Sequence, residues 1–208
     1  YHGEKSMTLD RARNVKMELI TTSGETIVLK EKVALQDGEI IDSMFMSKKA
    51  LCDFYEKELD QTLNFWYDHG YDKENGGFFT CLERNGDVFD TDKAVWAQGR
   101  GLWVFSKAYN CIKKDERYLK AAKHAYEFIR NNCYDKDNRM FFTVTGKGLP
   151  IQKRRYWFSE SFAVVGSAEL YRATKEEKYL INARETLDTL LKVKKGVIKT
   201  EPKFNPEA

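Results

Sequence analysis

Histidine and cysteine are scarce in this chain, and so are long apolar runs and any excess of one charge. Each scarcity closes off a class of function. The histidines are His2, His69 and His124, and none has a Cys, Asp or Ser partner at the spacing of a metal set or a nucleophilic triad. No metal is expected. Cys52, Cys81, Cys111 and Cys133 form no Cys-x-x-Cys pair, so they are expected as free thiols in a reducing compartment, with the cytoplasm as the default. No apolar run approaches the ~18 residues of a membrane span, and no charged-then-apolar leader opens the chain. Thirty-five Lys and Arg against thirty-two Asp and Glu leave a charge of +3, spread without a basic block. That pattern suggests neither a nucleic-acid nor a membrane partner.

What is present reads as a mainly helical, globular chain. Over residues 15–41 the apolar residues alternate, with Val15, Met17 and Leu19 on one face. Ser23-Gly24 follows as a turn and Thr26–Leu29 as the return strand, which predicts a β-hairpin. From a Ser47 N-cap the period becomes helical through Leu51, Phe54, Tyr55, Leu59, Leu63 and Trp66, and should stop near Gly70. Phe78–Leu82 and Val88-Phe89 flank Arg84-Asn85-Gly86-Asp87, a hairpin signal. Helices are predicted near 91–112, 116–132, 158–173 and 175–193, with a second hairpin at 140–152 turning at Gly146-Lys147-Gly148. Asp72–Glu83 partly fits a calcium-loop template, but Gly76 occupies the fifth ligand position, so a turn is expected. Asp135–Asn138 is also turn chemistry.

An internal repeat organises these elements. Asp115–Ala122 recurs 61 residues later as Glu176–Ala183, and Trp96 and Trp157 share that separation. Each copy reads as a hairpin, an inner helix and an outer helix. Such units bury their apolar faces only against neighbours, which suits a ring of helical hairpins. Both tryptophans should then stand in the first turns of inner helices, at one mouth of the ring. Trp96 and Arg100 are one helical turn apart and share a face. A flat aromatic surface beside a permanently charged, forked donor suits a carbohydrate: C–H groups on the ring, oxygens on the guanidinium. His69, at a helix end, is expected to cap it, and His124, on an outer helix, to face solvent.

Four stretches together resemble the N-acylglucosamine 2-epimerase family, the renin-binding-protein group especially. They are Phe65–Gly70, Gly76–Leu82, Val95-Trp96-Ala97-Gln98-Gly99-Arg100 and Phe158-Ser159-Glu160-Ser161-Phe162, with Glu169–Thr174 in support. The resemblance runs from about Phe54 past Leu191. It implies an incomplete (α/α)6 barrel over 56–208, built of helical hairpins with short β-hairpins and preceded by a small β-hairpin segment. By that resemblance Arg100 contacts the carbonyl end of an open-chain sugar, Trp96 and Phe158 line the same pocket, and Glu160 is an acidic position nearby. The implied partner is an amino sugar or related aldose, with a homodimer for full-length members. The implied reaction is epimerisation at C2, from N-acylglucosamine to N-acylmannosamine, with two histidines as acid and base. Those histidines match no residue here, so no catalytic residue is assigned and the chain alone is expected to be inactive. Nucleotide activation is suggested by the resemblance only; no phosphate-binding loop supports a cofactor.

Residues 1–55 resemble something else. His2–Ser6, Gly24–Lys30, Gly38–Asp42 and Met46–Leu51 are similar to an internal stretch of the monomeric NADP-dependent isocitrate dehydrogenases, whose functional positions lie outside that stretch. The similarity fades between Phe54 and Leu59. With Tyr1 at the start, this switch leads us to expect a misassembled or spliced reading frame. The rival readings are a non-catalytic helical repeat that binds a sugar or protein, and a dehydrogenase fragment.

Overall fold

The computed structural model describes residues 5–9, 15–20, 26–29, 48–153 and 156–200, and the chain divides into two units, Tyr1–Thr62 and Leu63–Ala208. In the first unit strands β1 (Lys5–Leu9), β2 (Val15–Ile20) and β3 (Thr26–Leu29) form an antiparallel sheet in that order. β2 and β3 are the hairpin that the alternation predicts, pairing Met17 with Leu29 and Leu19 with Ile27. β1, which the sequence pattern does not single out, pairs with β2. The Ser23-Gly24 turn, the extension to 41 and the Ser47 cap lie outside the described residues. Helix α1 (Lys48–Phe65) then runs into a π-helical turn, Trp66–Gly70, and ends at the expected glycine.

In the second unit, the hairpin β4 (Cys81–Leu82) with β5 (Val88–Asp90) leads to the short strand β6 (Lys93–Ala94), helix α2 (Val95–Cys111) and helix α3 (Glu116–Asn132). The hairpin β7 (Thr143–Val144) with β8 (Pro150–Gln152) leads in the same way to α4 (Phe158–Thr174) and α5 (Glu177–Lys194). This is the predicted succession, with shifted boundaries: α2 begins at Val95 and not near 91, Lys93–Ala94 forming a strand instead, and α5 begins at Glu177 and not at 175. Lys93 pairs with Val144 and Ala94 with Thr143, so the second repeat's hairpin captures the start of the first repeat's helix. Val95 N–H then donates to Phe142 O at 2.9 Å and fixes where α2 begins.

Helices α2 and α4 are the inner pair. They pack on each other, with α3 against α2 and α5 against α4. Two glycines permit the inner contact. A Cβ on Gly166 would stand 2.8 Å from Gly99 O, and one on Gly99 would stand 2.8 Å from the Phe162 backbone, so the two helices touch backbone to backbone. The repeat is visible in the outer helices: Tyr118 and Tyr179 are both buried, as are Ala122 and Ala183. They differ where α3 carries Ala121 and Ala125 and α5 carries Asn182 and Thr186. Tyr134 shares a hydrogen bond of 2.7 Å with Thr186 and accepts one from Asn182 at 3.3 Å; Ser167 donates to Asn182 at 3.2 Å.

Lys93 joins the two repeats. Its ammonium, fully buried, donates to Asp72 Oδ2 at 2.6 Å, Gly76 O at 2.7 Å and Gly146 O at 2.8 Å, which uses all three of its donors. The Phe128 ring lies 4.5 Å beneath it. Burial pulls the Lys93 pKa below its ordinary value against the opposing pull of Asp72. Burial also pushes Asp72 upward, but the bonds from Lys93 and from the Asn75 and Glu74 amides outweigh it and leave the carboxyl below its usual range.

Two stability measurements test this account. Gly166→Ala should cost ~1–3 kcal/mol by overpacking the helix crossing; an unchanged urea midpoint would contradict the backbone contact. Lys93→Met should cost about 3–5 kcal/mol because it strands the Asp72 carboxylate in the interior. Adding Asp72→Asn to Lys93→Met should recover a large part of that loss in the same titration.

Candidate functional site

Trp96 is the second residue of α2, so the β6–β7 pairing that sets the helix start also sets the direction of its ring. That ring is half-buried, 5.9 Å from Phe158 and 5.8 Å from Phe162. Phe158 and Phe162 meet edge to face at 5.2 Å. Arg100 is exposed and stands 5.9 Å from both the Trp96 and the Phe162 rings. The two inner helices thus bring together two pairs spaced by four, Trp96 with Arg100 and Phe158 with Phe162. The result is an aromatic surface with a guanidinium at its edge. Beside it, Phe142, Tyr156, Trp157, Phe158 and Ser161 line a cavity of about 420 Å³. This arrangement offers apolar faces for ring C–H groups and a forked cationic donor for oxygens.

The structure places Trp96, Arg100 and Phe158 together. Phe162 completes the surface, a contribution the sequence reading misses; its signal is the spacing of four from Phe158, the same as that between Trp96 and Arg100. Trp157, expected in the first turn of its inner helix, is instead the residue just before α4 and lines the neighbouring cavity, so it is Phe158 and Phe162 that meet Trp96. Glu160 lies behind the surface, fully buried. Its Oε1 is 2.6 Å from Arg139 Nε and accepts the Met140 N–H at 3.0 Å, while Oε2 has no hydrogen-bond partner among the described residues. Arg139 escapes notice in the sequence because it sits inside a turn motif.

The histidines lie elsewhere. His124 is half-buried and not solvent-facing as expected: Nε2–H donates to Asp72 O at 2.8 Å and the ring stacks on Tyr71 at 3.9 Å. The turn at 71–77 folds over this face of α3, a tertiary contact that helical periodicity does not register. Burial is the main cause that holds the His124 pKa below its ordinary value, with nearby Lys93 adding to it. His69 is exposed in the last turn of its helix, its ring 5.0 Å from Phe65; His2 lies outside the described residues. The calcium-like loop is a turn, in which Asp72 Oδ1 accepts the Glu74 and Asn75 amides at 3.0 Å each. Gln98, on α2, closes that loop like a short strand: Oε1 accepts Phe78 N–H at 2.7 Å and Nε2 donates to Phe78 O at 2.8 Å. Cys133 is buried, and burial pushes its thiol far up, away from reactivity. Among the described residues no cluster of His, Cys, Asp and Glu could hold a metal, and no helix is long and apolar enough to cross a membrane.

Comparison with known proteins finds a match to a different family in each part of the chain. Residues 77–206 match the N-acylglucosamine 2-epimerase family, and residues 1–64 match the monomeric isocitrate dehydrogenase family. The N-acylglucosamine 2-epimerase of Bos taurus is 37% identical over 147 residues, which is 69% of this chain and 35% of that protein. A solved cellobiose 2-epimerase from Bacillus thermoamylovorans aligns with a TM-score of 0.61 and 29% identity, covering 74% of this chain and 39% of that one. At the other end, isocitrate dehydrogenase [NADP] 2 of Mycobacterium tuberculosis is 75% identical over 59 residues, 28% of this chain and 8% of that protein. The chain spans about a third of the length of the epimerases it matches.

The environment of His124 sets a pH dependence. Its folded pKa is depressed, so the unfolded state binds more protons as pH falls below the ordinary histidine value near 6.5. The stability it contributes is complete above that value and is lost as pH falls from there through the folded pKa. The melting temperature of the chain should therefore drop more between pH 7 and pH 5 than that of His124→Gln. Parallel curves for the two proteins would count against the buried, neutral imidazole.

Proposed function

The chain belongs, over residues 77–206, to the N-acylglucosamine 2-epimerase family, and on that premise we propose that its aromatic surface is the sugar-binding floor of a 2-epimerase. The observation that carries the proposal is the convergence of Trp96, Arg100, Phe158 and Phe162 from two inner helices. In this reading the sugar is an N-acylhexosamine or related aldose in its open-chain form. Trp96 and Phe158 pack on its carbon chain, while the Arg100 guanidinium donates to the oxygen at its carbonyl end. A fixed cation there would stabilise the enolate oxygen that develops when the C2 proton leaves. Glu160 contributes from behind the floor.

Removing that proton and returning it to the opposite face needs two groups that titrate near neutrality. His124 is engaged with Asp72 and Tyr71, and His69 rests on Phe65. The proposed function of these 208 residues is therefore to bind and orient the sugar, without turnover by this chain alone. Residues 1–64 enter no step, and the four cysteines, free of disulfides, support a cytoplasmic setting. A second reading, a repeat that docks a partner or a second copy, is favoured by the exposed Ile181, Leu187 and Leu191 on α5. Size-exclusion chromatography tests the second-copy form of this reading, which a concentration-independent monomer removes.

The proposal is tested with N-acetylmannosamine in D₂O. The chain should bind the sugar, seen as quenching of tryptophan fluorescence, and the H2 proton signal should persist. Exchange of H2 would overturn the non-catalytic assignment. Arg100→Ala should weaken binding by about 10–100-fold, the range for a lost charged hydrogen bond; equal affinity would remove Arg100 from the site.

A further inference from the structure

We infer that Arg139 is a positioning residue for the aromatic floor: gripped by Glu160, it anchors the backbone at Tyr156 and so sets where Trp157 and Phe158 stand. The inference rests on the reading of that face as a sugar floor, and it names the residue that preorganises it.

Tyr156, Trp157 and Phe158 are all exposed, at 47%, 38% and 49% of their accessible surface. Burial alone does not hold rings that exposed, so the backbone that carries them contributes to where they stand. That backbone is tied down by Arg139. Its guanidinium, 3% exposed, places Nε 2.6 Å from Glu160 Oε1 and donates from Nη2 to Tyr156 O at 3.0 Å. Glu160 is in the first turn of α4, and Tyr156 lies two residues before that helix. One side chain therefore links the helix to the segment leading into it, and a planar fork holds the angle between the two acceptors. Glu160 Oε1 also takes the Met140 N–H at 3.0 Å, so the carboxylate is fixed to the residue that follows Arg139.

The turn that presents Arg139 also holds Lys153, the residue just after β8. Asp135 N–H donates to Arg139 O at 2.8 Å and Arg139 N–H to Asp137 Oδ1 at 3.0 Å, which closes the turn. Across from it, Lys153 donates to Asp135 Oδ2 at 2.7 Å and to Asp137 Oδ1 at 2.8 Å. Lys153 is thus held by two solvent-accessible carboxylates and Tyr156 by a buried guanidinium. Exposed ion pairs contribute little, so the buried tie dominates. A floor held in place before the sugar arrives loses less freedom on binding.

The decisive variant is the full chain carrying Arg139→Met with Glu160→Gln. The introduced side-chain amide would still accept the Met140 N–H, no buried charge is left without a partner, and the bond to Tyr156 O is gone. Acrylamide quenching is read as the difference between each protein and its Trp157→Phe counterpart, which isolates one of four tryptophans. The Trp157 component should become about twofold more accessible in the double variant, as for a segment released from local order. Affinity for N-acetylmannosamine should fall about tenfold, as the ordering cost moves into binding. Arg139→Lys, which can reach one acceptor but not both, should fall between wild type and the double variant on both readouts. It also serves as the test if the double variant does not fold. Unchanged Trp157 quenching in a folded variant overturns the inference. A wild-type chain that binds no sugar overturns the functional reading instead, and the quenching difference still decides whether Arg139 positions the segment.

Discussion

One ammonium group sets the geometry of the helical unit. Lys93 is fully buried, and a buried ammonium is tolerated only when its three protons find acceptors. It finds them on Asp72 and Gly76 in the first repeat's loop and on Gly146 in the second repeat's hairpin. That requirement forces 93–94 into a strand against β7, starts α2 at Val95 and thereby sets the direction of Trp96. The aromatic surface is a downstream effect of satisfying a charge more deeply placed than itself.

A second layer of constraint works through polar side chains that act on backbone. Gln98 bonds both the N–H and C=O of Phe78, and Glu160 bonds the Met140 N–H. Each inner helix therefore reaches back to clasp the loop that precedes it, although the residue type and exact position differ between the copies. His124 does similar work from an outer helix by holding Asp72 O. These contacts connect the repeats' loops to their helices independently of hydrophobic packing, and they leave the exposed aromatic rings free to meet a ligand.

Much of this was legible in the sequence because it depends on spacing. The helices, both hairpins, the 61-residue repeat and the Trp96–Arg100 face all follow from periodicity and turn chemistry. What escaped depends on contacts between elements. Residues 91–94 read as the start of a helix because local preference carries no knowledge of β7. His124 read as exposed because the covering loop is 52 residues away. Arg139 and Glu160 each look like an ordinary surface charge, and nothing local announces that they neutralise each other in the interior. Phe162 could have been found by applying to the second helix the spacing rule already used on the first.

The outer helices carry a further implication. At matched positions α3 presents Ala121 and Ala125, while α5 presents Asn182 and Thr186, which engage Tyr134 and Ser167. Those polar contacts work as an address. A hairpin moved into its neighbour's slot would carry the Asn182 amide and the Thr186 hydroxyl away from Tyr134, so the units are ordered and not interchangeable. Shuffling or concatenating them as identical building blocks would fail at this seam, although their helix lengths and turn chemistry match.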